Sequence, residues 1–131
     1  MLIDTSGFFA LYSENDQNHR AAKELFQHSR SRITTNYVLA EYVALGLVRG
    51  LPRQNVLTFS EEILFDDTIE IVWVNPQQHT QAVELLRQRP DKTYSLCDAV
   101  SFVLMRERGI NEALTTDKHF VQEGFARLLD S

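Results

Sequence analysis

The sequence predicts an α/β protein, a three-layer α/β/α sandwich around a mainly parallel sheet of about five strands. Three observations lead there. Short runs dense in β-branched residues alternate with longer segments of helical periodicity along the chain. Strands separated by helices in this way pair in parallel and are covered on both faces. Acidic residues also stand directly after two of the runs, at the strand ends where such sheets gather their sites.

Taken in order, Leu2-Ile3 starts a short buried strand, and residues 6–12 form a loop turning into a helix. Residues 18–30 (NHRAAKELFQHSR) place Ala22, Leu25 and Phe26 at helical spacing, with Asn18 as the cap. Residues 32–35 (RITT) are short and β-branched, a second strand. The stretch NYVLAEYVALGLVRG from Asn36 reads as a mostly buried helix, ended by Gly50 with Pro52 beyond it. Pro52 opens an amphipathic helix carrying Val56, Leu57, Phe59, Ile63 and Leu64. Residues 68–74 (TIEIVWV) form the clearest strand, which Asn75-Pro76 ends as it starts the helix QQHTQAVELLRQR. After Pro90-Asp91, YSLCDAVSFVLMRERG is a strongly apolar helix closed by Gly109. Residues 112–116 (EALTT) make a strand running into Asp117; KHFVQEG is a short helix and FARLLD a last strand.

The 131 residues are 44% hydrophobic and 24% charged, the balance of an ordinary globular chain with a core of its own. No linker-like tract or repeat divides them, so residues 1–131 read as a single domain. Cys97 is the single cysteine. It excludes an intramolecular disulfide and a multi-cysteine zinc cluster, and suits a reducing cytosol. Asp4 stands where a secretory signal would build its apolar region, and no apolar run approaches the roughly 20 residues that cross a membrane. The expectation is a soluble, cytoplasmic protein with no membrane attachment. A net charge of −5 and a pI near 5.3 exclude holding nucleic acid by bulk charge. A nucleic-acid partner would need local basic contacts. Arg30 and Arg32, Arg87, Arg89 and Lys92, or Arg106 and Arg108 could supply them, and they read equally as solvated helix ends.

On this scheme Asp4 and Asp117 each follow a strand directly, Asp98 lies in the first turn of its helix, and Glu41 sits inside an apolar one. Residues just after strands and at the starts of following helices meet at one end of a parallel sheet, so these acids can converge. Capping is the local alternative for three of them. Asp4 and Asp117 suit N-caps, and Ser95-Leu96-Cys97-Asp98 has the spacing of a capping box. Glu41 has no such role. It stands among Val38, Leu39, Ala40, Tyr42, Val43 and Leu45, where an ionised carboxylate is costly without a cation, or a tyrosine or arginine partner. Converging carboxylates repel unless positive charge lies between them. Oxygen-only ligands favour Mg²⁺ or Mn²⁺ over zinc, and such a site suits hydrolysis of a phosphodiester.

The segments LIDTSGFFAL, TTNYVLAEYVAL, YSLCDAVSFVLM and ALTTDKHF resemble, in order and spacing, the motifs of the PIN-domain nucleases. The chain looks most like the VapC toxins of bacterial toxin–antitoxin pairs, over residues 1 to about 125. Carried across position by position, the resemblance puts the catalytic, metal-binding acids on Asp4, Glu41, Asp98 and Asp117. It implies a PIN-like five-stranded sandwich and a Mg²⁺- or Mn²⁺-dependent endoribonuclease. The implied substrate is tRNA or another structured RNA such as rRNA, cut to leave 5′-phosphate and 3′-hydroxyl ends. It also implies a homodimer, and a small antitoxin that inserts a segment near the acidic pocket. His119 is a departure, because many relatives carry a further Asp at that position.

Around the acids, Thr5 and Ser6 are candidates to hydrogen-bond a phosphate or to cap a helix, and Ser95 and Thr116 to orient neighbouring carboxylates. His119 reads as a surface or capping residue, and Cys97 as core packing, since no histidine lies near it in sequence. Phe8, Phe9 and Trp73 read as core. Three other functions compete. A catalytically silent PIN-like module binding RNA or protein would be expected to lack one or more acids. A non-toxin RNA-processing nuclease would share them all. A receiver-like signalling domain would need an acidic pair and a strand-end lysine in another order.

Overall fold

An apolar pair such as Leu2-Ile3 is buried on both sides only in the middle of a covered sheet. It lies there in the computed structural model, which describes residues 1–130. The strands β1 (Leu2–Ile3), β2 (Ile33–Thr35), β3 (Glu70–Val72), β4 (Glu112–Leu114) and β5 (Ala126–Arg127) form an all-parallel sheet. Its order is β3-β2-β1-β4-β5. Ile3 and Leu114 face one core, which they share with Phe8, Val38, Tyr42 and Val56 from α1 (Thr5–Tyr12), α3 (Asn36–Val48) and α4 (Arg53–Leu64). Ala22 of α2 (His19–His28) completes that layer. Leu2, Ile33 and Ala113 face the opposite core. It is closed by α5 (Pro76–Gln88), α6 (Leu96–Arg108) and α7 (Lys118–Gln122) through Leu85, Phe102 and Phe120. This is the expected three-layer sandwich.

The chain steps outward from β1 to β2 and β3, then returns to place β4 on the other side of β1. The order therefore reverses between β1 and β4, and a crevice opens there at the carboxyl ends of the strands. In receiver-like sheets the first strand lies between the second and third. Here β1 lies between β2 and β4, which removes that alternative.

Local chemistry fixes most boundaries. Thr35 caps α3 by accepting from the Val38 amide at 3.2 Å. Asn75 and Gln78 form a reciprocal capping box on α5, and Ser95 and Asp98 another on α6. Gly109 ends α6 in the left-handed region at φ 64°, where the Ile110 amide reaches back to the Met105 carbonyl at 2.9 Å.

Four expectations need correction. No loop separates β1 from its helix, because α1 begins at Thr5. Asn18 precedes α2 but donates no cap; its amide nitrogen ties down the Asp130 carbonyl at 2.7 Å. The third helix, read as mostly buried, exposes Ala40, Ala44, Leu45 and Val48 along one side, since only its other side meets the sheet and α4. Trp73, read as core, is 66% exposed, because it lies past the end of the edge strand β3.

Gly7 shows how tightly α1 is set against the sheet. A Cβ there would stand 2.2 Å from the Leu114 carbonyl oxygen, a backbone atom that cannot step aside. Gly7→Ala is expected to destabilise the fold by about 1–3 kcal/mol, read as a lower denaturant midpoint with an unchanged slope.

Candidate active site

The crevice between β1 and β4 collects the residues that follow those strands. The Asp4 amide donates to the Leu114 carbonyl at 3.2 Å, so Asp4 and Thr115 leave the sheet side by side. Thr115 is fully buried, and its hydroxyl donates to Asp4 Oδ2 at 2.8 Å. Thr115 Oγ1 itself accepts from the Asp117 amide at 3.0 Å and meets Ser6 Oγ at 3.1 Å. One donated and two accepted bonds fill its capacity, which makes Ser6 the donor of the last. Ser6 Oγ in turn accepts from the Thr116 amide at 2.9 Å. The carboxylate-orienting hydroxyl is thus that of Thr115, while Thr116 contributes only backbone and cavity wall.

Asp4 precedes α1 without capping it through its side chain. Its Oδ1 is buried and has no hydrogen-bond partner. Burial drives the carboxyl up to about 7 against the pull of the Thr115 hydroxyl, with repulsion from Asp98 and Glu41 adding to the rise. Glu41 sits half-buried on α3, and Thr5 Oγ1 donates to its Oε1. Asp4, Glu41 and Asp117 line one cavity of about 230 Å³ together with Thr5, Ser6 and Arg49.

Asp98 enters from α6. Its Oδ2 accepts both the Ser95 amide at 3.0 Å and His119 Nδ1 at 2.9 Å. Burial raises its carboxyl, and repulsion from Asp117 acts in the same direction. Asp117 caps α7 by accepting the His119 amide at 2.9 Å. One carboxylate oxygen each from Asp98 and Asp117 and one ring nitrogen of His119 lie within 4.8 Å of one another. Capping therefore accounts for part of what Asp98 and Asp117 do, and for nothing that the Asp4 side chain does.

His119 is a residue that sequence reasoning missed. Thr93 Oγ1 lies 3.0 Å from its Nε2, and the Tyr94 ring meets it edge-on with centroids 5.2 Å apart. Because Asp98 offers an acceptor, Nδ1 carries the proton and the Thr93 hydroxyl donates to Nε2. The signal lay in the Asp-x-His spacing, which sets the imidazole back over the cap of a short helix. His119→Ala is expected to weaken divalent-cation binding by about tenfold or more, measured by Mn²⁺ electron paramagnetic resonance.

Cys97 lies in the core as expected, its thiol pushed well up by burial and by the nearby Glu41, Asp4 and Asp98. The basic runs are largely spent within the chain. Arg89 and Arg106 pair with the buried Glu123 at 3.1 and 2.7 Å, and Arg108 pairs with Glu70 at 2.9 Å. Burial alone would raise Glu123, but Arg89, Arg106 and Tyr94 together hold it below the usual carboxylate value.

The donor set fits a divalent cation of the hard type. It is mostly carboxylate oxygen, it is self-repelling, and it includes a buried oxygen with no proton donor of its own. The family model of the PIN domain matches residues 1–125. The chain belongs to the PIN-domain family. Among its relatives, the 23S rRNA-specific endonuclease VapC20 of Mycobacterium tuberculosis is 31% identical over 129 residues, which is 98% of this chain and 97% of that protein. The VapC ribonuclease of Archaeoglobus fulgidus is 28% identical over 112 residues, 81% of this chain and 70% of that protein. The crystal structure of M. tuberculosis VapC20, described as a sarcin–ricin loop cleaving toxin, superposes with a TM-score of 0.86 at 30% identity over 95% of both chains. This PIN domain thus shares its sheet with a VapC protein nearly end to end.

Proposed function

We propose that this PIN domain is a Mg²⁺- or Mn²⁺-dependent endoribonuclease that hydrolyses structured RNA, tRNA or rRNA, and acts in the cytoplasm as the toxin of a toxin–antitoxin pair. The observation that carries the reading is the meeting of Asp4, Glu41 and Asp117 on one cavity, with Asp98 against Asp117 and Asp4 Oδ1 buried without a partner. Asp4, Glu41 and Asp98 would hold the main cation, directly or through water, and Asp117 would complete or support a second position. When bound, such a cation lowers the pKa of a coordinated water and stabilises charge on the leaving oxygen. The chain's own part is orientation. Thr115 holds Asp4 Oδ2, Thr5 holds Glu41 Oε1, and the Ser95 amide with His119 holds Asp98 Oδ2. Each carboxylate thereby keeps one oxygen for the site. The RNA-cleaving activities for which the VapC relatives are named support RNA as the substrate.

The test is incubation of total RNA with Mg²⁺ or Mn²⁺, with chelator and Asp98→Asn controls, followed by sequencing of the new ends. Discrete cuts leaving 5′-phosphates, absent from both controls, are expected. A folded, cation-binding protein that cuts nothing would favour the silent RNA- or protein-binding module instead. The retention of all four acids speaks against that module.

Two assembly partners belong to the same reading. The exposed apolar residues Val48 at the end of α3 (83%), Phe65 at the end of α4 (75%) and Trp73 past β3 (66%) are those assigned to a homodimer contact. Val48→Glu/Trp73→Glu is expected to convert a dimer to a monomer in sedimentation analysis; an unchanged mass would refute the interface. The second partner in this reading is a small antitoxin that inserts a segment near the acidic pocket lined by Asp4, Glu41 and Asp117.

A further inference from the structure

A chain of net charge −5 that presents carboxylates to a polyanion needs a cation at the mouth of its site. The runs legible in the sequence do not supply it, since Arg89, Arg106 and Arg108 are paired within the fold. Arg49 is different. It caps the C-terminus of α3, is exposed, and holds its guanidinium carbon 4.2 Å from the centre of the Phe9 ring. Among the described residues, no carboxylate lies within ion-pair distance of it, and its guanidinium makes no hydrogen bond. Stacking on Phe9 fixes the group and leaves its N–H edge free for an anion.

Its position is the decisive point. Arg49 is the single basic residue on the wall of the acid cavity. It also lines an adjoining cavity of about 310 Å³, bounded by Asp16, Gln17 and Asn18 at the start of α2. Ser6, Phe9, Arg49 and Thr116 are common to both cavities, so the two form one trough with Arg49 on the divide. Asp16 is the one carboxylate of the outer cavity, and its Oδ1 is occupied by the Asn18 amide at 2.8 Å.

We propose that Arg49 is the phosphate-binding residue that sets the register of the RNA strand. It grips the phosphodiester next to the one held over the acids, while the neighbouring nucleotide runs into the outer cavity. A guanidinium fork matches two phosphate oxygens, and one strand crossing the divide brings adjacent phosphates to the two halves of the trough. The assignment rests on the nuclease reading and adds a substrate contact to it.

The experiment uses the cleavage-dead Asp98→Asn protein and a fluorescein-labelled RNA stem-loop, with affinity followed by anisotropy across a salt series. Adding Arg49→Ala is expected to weaken binding about tenfold and to lower the slope of log affinity against log salt by about 0.7 to 1. Arg49→Lys is expected to restore the slope and only part of the affinity, because a point charge replaces the fork. Arg30→Ala, a substitution of an exposed arginine lining a different cavity, serves as the control. If Arg49→Ala matches that control while the parent binds RNA, the Arg49 assignment falls and the nuclease reading stands. If the parent binds no RNA while the wild-type chain binds Mn²⁺, both fall together. Unchanged Mn²⁺ binding and melting temperature in Arg49→Ala made in the wild-type chain mark the loss as one of substrate contact and not of folding.

Discussion

Asp98→Asn is expected to lose RNA cleavage by on the order of 10³-fold or more while folding normally. Asp98 Oδ2 is already held by the Ser95 amide and by His119 Nδ1, so the side chain has little freedom to turn. If the asparagine keeps its oxygen toward those two donors, its NH₂ group stands where a cation needs a lone pair. If it flips, the NH₂ group faces two donors and the capping box breaks. The first outcome removes the ligand oxygen and the second keeps a neutral oxygen at the cost of the cap; both remove the charge that holds the cation, while the apolar contacts of α6 stay in place. Ligands to one cation act as a unit, so Asp4→Asn/Asp98→Asn should be no slower than the worse single variant. A fully active Asp98→Asn protein in a gel-based cleavage assay would sink the ligand assignment.

The second large effect is on stability and has the opposite sign. Without a cation, burial holds the Asp4 carboxyl at about 7 against an ordinary value of 3.8. Between those values the folded protein binds more protons than the unfolded chain, so stability falls as pH rises from about 4 through 7. Below both values the effect is absent; above both the full penalty is in force, with a ceiling of about 4 kcal/mol. The metal-free protein should therefore melt several degrees lower at pH 8 than at pH 5, and Asp4→Asn should flatten that difference while abolishing cation binding. Saturating Mg²⁺ should restore the wild-type melting temperature at pH 8, because the cation replaces the proton. A chelator-treated wild type with a flat melting profile from pH 5 to 8 would refute this account of Asp4.

Much of this architecture is legible in the sequence, because β-branched runs and apolar helices answer to periods that tertiary contacts do not override. Glu41 stands out since no local role explains a carboxylate among Val38, Leu39 and Tyr42. Other features depend on neighbours that no short window contains. Thr115 and Thr116 are adjacent and chemically alike, and β4 ends before them. Only the pairing of Asp4 with Leu114 decides that Thr115 takes the carboxylate. His119 looks like a surface residue until α6 brings Asp98 to within 2.9 Å of it. Arg49 reads as one more helix-terminal cation, and its place on the trough appears only once α1 delivers Phe9 beneath it. Trp73 fails in the other direction. It belongs to a β-branched run, but the edge strand ends at Val72 and leaves its indole largely in solvent.

The bond between Thr115 and Asp4 spans 111 residues of sequence. Its consequence is temporal. During synthesis Asp4 emerges more than 100 residues ahead of its strand neighbour Leu114 and its anchoring hydroxyl on Thr115. Loop closure on that scale is among the last events of folding. A growing polypeptide thus carries Asp4 long before the crevice exists, and for a protein that cuts RNA this keeps the site unassembled until Leu114 and Thr115 have been made and have folded against β1.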